Sequence, residues 1–152
     1  MKYAEIQGYG ERLAYAFDVQ TNNSSFFKFM LENNVVLYKT VSYPFDLSKN
    51  LEIMRIRYYA GNEREFTTLS LDHYTKLIEI DIGFRAFSFV TTVTITDNPK
   101  LKSIQIGKHC FDGVDNGSFF IKRCDQLELI EIGSSVATKY TVFEIEGRIN
   151  QR

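Results

Sequence analysis

The sequence has little of what disulfide scaffolds, membrane spans and nucleic-acid surfaces require. Two cysteines in 152 residues are too few for a disulfide framework. No apolar run approaches the ~18 residues that a membrane-spanning helix needs. The 18 basic and 19 acidic residues are mixed, without a basic block, and phosphate binding draws on clustered lysine and arginine. We therefore expect no membrane span and no nucleic-acid partner.

Patterns that carry catalysis or bind metals are also scarce. The two histidines, His73 and His109, have no cysteine, aspartate or glutamate at a metal-binding spacing. The nucleophile elbow, the His-Glu-x-x-His motif and the phosphate-loop glycines are absent. Asp112 and Asp115 lie in D-G-V-D-N-G, which is typical of a turn and lacks the terminal glutamate of a calcium loop. The sequence predicts a protein that is not an enzyme and that uses no cofactor or metal.

Tryptophan is absent and proline occurs twice, whereas phenylalanine occurs 13 times and tyrosine nine times. Such a composition favours β-structure with stacked aromatic rings and argues against long disordered segments. The amino terminus, M-K-Y-A-E, lacks the apolar region of a signal peptide. A cytoplasmic protein and a fragment of a surface or secreted protein are both compatible with it, so the localisation stays unknown.

What the sequence does contain is a repeat. Four units of the form Leu-x-x-(Ile/Met)-x-Ile begin at Leu51, Leu77, Leu101 and Leu127, at intervals of 26, 24 and 26 residues. Residues 90–106, V-T-T-V-T-I-T-D-N-P-K-L-K-S-I-Q-I, fit the leucine-rich-repeat signature. Alternate apolar residues would point into one interior. We therefore predict an all-β-rich solenoid, a right-handed coil stack of the leucine-rich-repeat type with two short parallel strands in each coil of 24–26 residues.

One position of each coil is expected to hold the turn together. It is occupied in successive coils by Asn22, Ser48, Tyr74, Asn98 and Cys124. An asparagine there would hydrogen-bond backbone groups inside the turn. Cys124 is interpreted as a small buried residue in the same position, and Tyr74 predicts a looser turn. Cys110 falls in a turn between strands, and only geometry decides whether the two cysteines are bridged.

The chain is predicted to be a single repeat domain over residues 1–152. Residues 1–50 would form weakly repetitive coils or a cap, with Phe17 in a first strand and residues 43–45 in a second, where Pro44 fits badly. An alternative for residues 25–33 is a short helix that covers the end of the stack. Residues 51–146 would form the regular repeats, and residues 147–152 a frayed end. Gly83, Gly107 and Gly133 follow strands, where we expect corners with positive φ.

The segments I-G-F-R-A-F (82–87) and I-G-K-H-C-F (106–111), each preceded by L-x-x-I-x, resemble the BspA-like leucine-rich repeats over about residues 51–146. The resemblance implies a surface or secreted role in adhesion and recognition. The period is longer than the family unit, and the cysteine that often follows Ala-Phe is absent, since Asp112 follows Phe111.

Outward positions of the strands are the candidate partner-facing surface. On one face they are Ser42, Thr68, Ser70, Thr92, Thr94, Thr96, Ser118, Phe120 and Lys122. The alternative is that these residues only satisfy β-propensity and cross-strand hydroxyl contacts. The other face carries Arg55, Asp81, Gln105 and Glu131, interpreted as solvated.

The regular surfaces and the lack of a catalytic pattern predict a non-enzymatic interaction module that binds a protein or another macromolecule. The alternative is a structural unit that assembles with copies of itself through its open ends, giving a homo-oligomer.

Overall fold

The computed structural model describes residues 51–56, 58–62 and 64–146, and in addition the backbone of four strands at residues 3–9, 12–18, 38–40 and 150–151. Several sequence predictions lie outside these residues: the helix over 25–33, the strand over 43–45, and the positions of Asn22, Ser42 and Ser48.

The described elements are all strands. They are β1 (Tyr3–Tyr9), β2 (Arg12–Asp18), β3 (Tyr38–Thr40), β4 (Ile53–Ile56), β5 (Thr68–Ser70), β6 (Glu79–Ile82), β7 (Thr92–Thr96), β8 (Ser103–Ile106), β9 (Ser118–Lys122), β10 (Leu129–Ile132), β11 (Val142–Ile145) and β12 (Asn150–Gln151). Two sheets contain them, with the orders β12-β10-β8-β6-β4-β1-β2-β3 and β11-β9-β7-β5. We call these sheets A and B.

The predicted solenoid is confirmed. From β4 onward each coil places one strand in sheet A and the next in sheet B, and equivalent strands of successive coils pair in parallel. The strands are short, and each strand from β4 to β10 buries one or two side chains. In β6 and β8 half-buried and buried positions alternate, as expected for a strand with one face on a core.

The core is a stack of equivalent side chains. Met54, Ile80, Ile104 and Ile130 are fully buried and are direct neighbours in the register of sheet A. Phenylalanine fills the corner between the sheets, where the Phe87 and Phe111 rings stack with centroids 5.7 Å apart. One coil could not bury these groups alone, so neighbouring coils stabilise one another.

The first coil strand predicted near Phe17 is wrong. Phe17 lies in β2, which pairs antiparallel with β1, and β1 in turn pairs parallel with β4. Only two residues separate Tyr9 from Arg12, whereas parallel strands need a crossover of about a dozen residues. A hairpin therefore adjoins the first regular coil strand in sheet A.

The expected positive φ at the three coil glycines is also wrong. Gly61, with φ of 72°, is the one glycine with positive φ among the described residues. The glycine column instead avoids collisions, because a Cβ on Gly107 or Gly133 would lie 2.8 Å from a backbone nitrogen of the preceding coil. Among the described residues, positive φ falls otherwise on eleven non-glycine residues: Tyr59, His73, Arg85, Phe87, Asp97, His109, Phe111, Asn116, Arg123, Ser135 and Ala137.

Candidate interaction surfaces

The outward face of sheet B carries the predicted partner-facing residues. The register aligns Thr68 with Thr92 and Ser118, aligns Ser70 with Thr94 and Phe120, and aligns Thr96 with Lys122. All eight are half-buried and face away from the core. The predicted columns are therefore real features of this face.

Most polar groups on this face already contact one another. The Asp72 carboxylate accepts hydrogen bonds from the hydroxyls of Ser70 and Thr94, and from both the backbone N–H and the hydroxyl of Thr96. The Lys122 ammonium lies 2.9 Å from a Glu144 carboxylate oxygen. These bonds support the alternative of cross-strand hydroxyl contacts, since three hydroxyls donate to Asp72 and not to a partner.

An ion pair marks the corner that follows sheet B. Asp97 and Arg123 both have positive φ, and the guanidinium of Arg123 donates to the two oxygens of Asp97 at 2.6 and 3.0 Å. This hydrogen bond holds the pKa of Asp97 below its usual value. Because both groups are exposed to solvent, the pair adds little stability.

Asn98 hydrogen-bonds buried backbone groups, as predicted, but these groups belong to the preceding coil and not to its own turn. Its Oδ1 accepts from the backbone N–H of Tyr74 at 2.7 Å, and its Nδ2 donates to the carbonyl of Leu71 at 2.7 Å. Tyr74 is itself fully buried. Its backbone carbonyl accepts a hydrogen bond from the N–H of Leu77, and the backbone carbonyl of Asn98 accepts the equivalent bond from the N–H of Leu101. The looser turn predicted at Tyr74 is therefore not found.

Cys124 takes the Asn98 position one coil later. Its thiol lies 3.6 Å from the carbonyl of Ile95, which corresponds to Leu71. The prediction of a small buried residue is confirmed, since Cys124 is 4% exposed. Burial raises the pKa of the Cys124 thiol, and the backbone N–H of Asn98 partly offsets that rise.

Cys110 occupies a position that is alanine in the preceding coils. It is fully buried, as are Ala60 and Ala86. Both cysteines are free thiols and form no bridge. Burial raises the pKa of Cys110 to about 11, and a neutral buried thiol is inert as a nucleophile.

A groove on sheet A is the feature that sequence reasoning missed. It has a volume of about 480 Å³ and runs across three coils, lined by Asp81, Gln105 and Glu131 at the strand ends and by the isoleucine and glycine that follow each of them. Register places the three polar residues side by side. The sequence identified Asp81, Gln105 and Glu131 as one outward column, but we interpreted that column as a solvated face and not as part of a groove.

Aromatic side chains form a row at the corners that follow the strands of sheet A. The rings of Tyr58, Tyr59, Phe84 and His109 meet edge to face in succession, with centroids 5.7–5.9 Å apart. Phe84 follows Gly83, which lines the groove, and its ring is 38% exposed with the Arg85 guanidinium 5.2 Å from the ring centroid. Such edge-to-face contacts stabilise the corner, while Tyr58, Tyr59 and Phe84 remain exposed to solvent. The sequence signal for this row was an aromatic or histidine at the corner of successive coils.

Within the residues that the structure describes, no group of three or more histidine, cysteine, aspartate or glutamate side chains could hold a metal ion. No helix among them is long and apolar enough to cross a membrane. The chain matches no protein-family model, no curated protein and no solved structure.

Proposed function

We propose that this protein is a non-enzymatic recognition module that binds a protein partner on the outward surface of its solenoid. The observation that carries the proposal is the groove on sheet A, where Asp81, Gln105 and Glu131 line one channel across three coils. Polar groups that are held on strands and line an open groove are suited to orienting a partner.

The chemistry of the buried reactive groups supports a role without catalysis. Cys110 and Cys124 are buried with raised pKa values, and neither is among the residues that line the groove. Activated cysteines have lowered pKa values and are partly exposed. The resemblance to BspA-like leucine-rich repeats points to the same class of function, and membership of that family is part of this proposal.

Selection of ligands tests the proposed function directly. Immobilised full-length protein is panned against displayed random peptides and, in parallel, profiled on a glycan array. We expect peptides to be enriched, with binding that saturates in solution. Failure to enrich any peptide from deep libraries would contradict the proposal, and saturable binding of glycans alone would replace the protein partner with a carbohydrate.

Self-association is a second candidate, and Phe143 is the observation that favours it. Phe143 lies on β11, the edge strand of sheet B, and stacks on Phe119 at 4.7 Å while remaining 45% exposed. An exposed edge strand with apolar side chains is a template for pairing with another chain. Two copies paired through β11 would be related by a twofold axis and would close as a dimer.

Sedimentation over a wide concentration range distinguishes self-association from a protein that stays monomeric. We expect mass to approach that of a dimer as concentration rises, and Phe143→Asp to abolish the increase. Phe84→Asp serves as the control, because it removes an exposed aromatic ring at a corner away from β11. A monomer at every concentration would contradict self-association and leave the recognition role unaffected.

A further inference from the structure

The groove on sheet A has a defined repeat, charge and direction. It crosses the strands at right angles, since equivalent residues of three coils line it. Parallel strands lie ~4.8 Å apart, so Asp81 and Glu131, which are separated by the coil of Gln105, stand about 10 Å apart along the groove.

The groove is acidic and its polar groups are available. Asp81 and Glu131 are the two charged residues among the nine that line it. Asp81, Gln105 and Glu131 make no side-chain hydrogen bond or ion pair within the described residues, in contrast to the hydroxyls that Asp72 engages on sheet B. Charge complementarity therefore calls for a cationic ligand.

We propose that the groove binds an extended, proline-rich peptide with two basic residues three positions apart, as in Arg-x-x-Arg, in the polyproline II conformation. This inference rests on the proposed recognition function and names the partner segment. A polyproline II helix has three residues per turn and rises ~3.1 Å per residue, so side chains three apart lie roughly 9.3 Å apart on one side. That repeat matches the spacing of the two carboxylates.

Other peptide conformations match less well. In a β-strand, side chains on one face repeat about every 6.7 Å, and the next repeat is roughly 13 Å. An α-helix with its side chains is about 10 Å across and satisfies its own backbone, so that it offers no free peptide group to Gln105. A polyproline II backbone is fully solvated, and the Gln105 amide can bond it between the two basic residues.

Residues that follow the lining glycines in the chain would add specificity. Phe84 follows Gly83, and its ring is 38% exposed with the Arg85 guanidinium 5.2 Å from the centroid; a proline of the peptide would pack against the open part of this ring. Lys108 is exposed and follows Gly107, in the same coil as Gln105. We expect its positive charge to disfavour a further basic residue of the peptide at this coil.

Matched peptides test the proposal. A labelled proline-rich peptide with two arginines three positions apart is compared with a peptide of equal composition whose arginines are four positions apart. Binding to the full chain is measured by fluorescence anisotropy. We expect the first peptide to bind about tenfold more tightly, because each arginine then reaches a carboxylate in a charge-assisted hydrogen bond.

Variants assign the site. Asp81→Asn combined with Glu131→Gln keeps shape and removes both charges, and we expect it to weaken binding of the first peptide by about tenfold or more. Asp125→Asn is the matched control, since Asp125 is exposed and does not line the groove, and we expect a change of less than about twofold. Circular dichroism verifies that each variant is folded.

Equal affinity for the two peptides, no binding of either, or an equal effect of Asp125→Asn would overturn the proposal. The broader function is judged separately. If panning enriches peptides that bind the Asp81→Asn/Glu131→Gln variant as well as the wild type, the recognition function stands and this site assignment fails. If panning enriches no peptide and the arginine peptides do not bind, both fail.

Discussion

The hydroxyl of Tyr140 donates a hydrogen bond to the carbonyl of Val90, fifty residues earlier and two coils away. Asn116 is the equivalent residue of the coil between them, and it is exposed and has positive φ. In the two neighbouring coils this position is held by Val90 and Tyr140, which pack on the core. Next to it, a Cβ on Gly117 would lie 2.3 Å from the Tyr140 ring. The missing side chain of Gly117 therefore lets the Tyr140 ring pass this coil and pack on Phe111.

Removing the Tyr140 hydroxyl should destabilise the stack. Tyr140→Phe keeps the ring but leaves the Val90 carbonyl without this donor, and we expect a loss of about 1–2 kcal/mol in the free energy of unfolding. Urea denaturation followed by circular dichroism measures it. Tyr59→Phe is the control, since Tyr59 is 53% exposed. A change no larger than that of the control would mean that the bond contributes nothing.

A side chain at Gly117 should collide with that ring. Gly117→Ala is expected to cost about 1–3 kcal/mol, because overpacking displaces the aromatic group. In a Tyr140→Ala background the collision partner is gone, so the same substitution should cost much less. A double-mutant cycle by urea denaturation measures this coupling, and additive effects would show that the glycine serves another purpose.

Asn98 should be more important for stability than its counterpart Cys124. Asn98→Ala leaves the buried Tyr74 N–H and Leu71 carbonyl without their bonds of 2.7 Å, which predicts a cost of about 2–4 kcal/mol. Cys124→Ala removes a weak thiol contact of 3.6 Å and should cost about 1 kcal/mol. Thermal unfolding ranks the two, and a larger effect at Cys124 would contradict the assignment.

Stability should fall at alkaline pH partly through Cys110. Its pKa is about 11 when folded, against an ordinary value of 9.0. Stabilisation by the buried neutral thiol is therefore complete below pH 9 and is lost as pH rises towards 11, because the unfolded chain ionises first. Cys110→Ala matches the neighbouring alanines and should flatten the pH dependence of the urea midpoint in that window. Identical slopes for variant and wild type would refute this linkage.

The repeat could be predicted from sequence because its causes are local. Apolar alternation at positions such as Ile80 and Ile82 recurs in each coil, and parallel stacking in register follows from burying those side chains. That Asn98 would bond buried backbone groups was predictable, since a buried amide must satisfy its own donors and acceptor, but we expected those groups in its own turn and the structure has them in the preceding coil. These features depend on one coil and its direct neighbour.

Features that depend on the three-dimensional neighbours of a residue were not predictable. The glycine column was assigned to positive φ, but Gly107 and Gly133 are required by the approach of the preceding coil. The Asp72 carboxylate accepts hydrogen bonds from hydroxyls on two strands. These hydroxyls were predicted to face a partner, and in the structure they bond to a neighbouring side chain. The spacing of residues along the chain does not specify how closely the preceding coil approaches Gly107 and Gly133. It also does not specify which hydroxyls lie within hydrogen-bond distance of Asp72.

The sequence by itself determined the solenoid, its two strands per coil and the residues that face inward, because hydrophobic periodicity acts through each short strand. Only the tertiary structure decided which outward polar groups are engaged and which are available. Thr94 and Asp81 both appear in the sequence as outward strand residues, yet one donates to Asp72 while the other lines an open groove. The difference arises from side chains brought together by coil stacking.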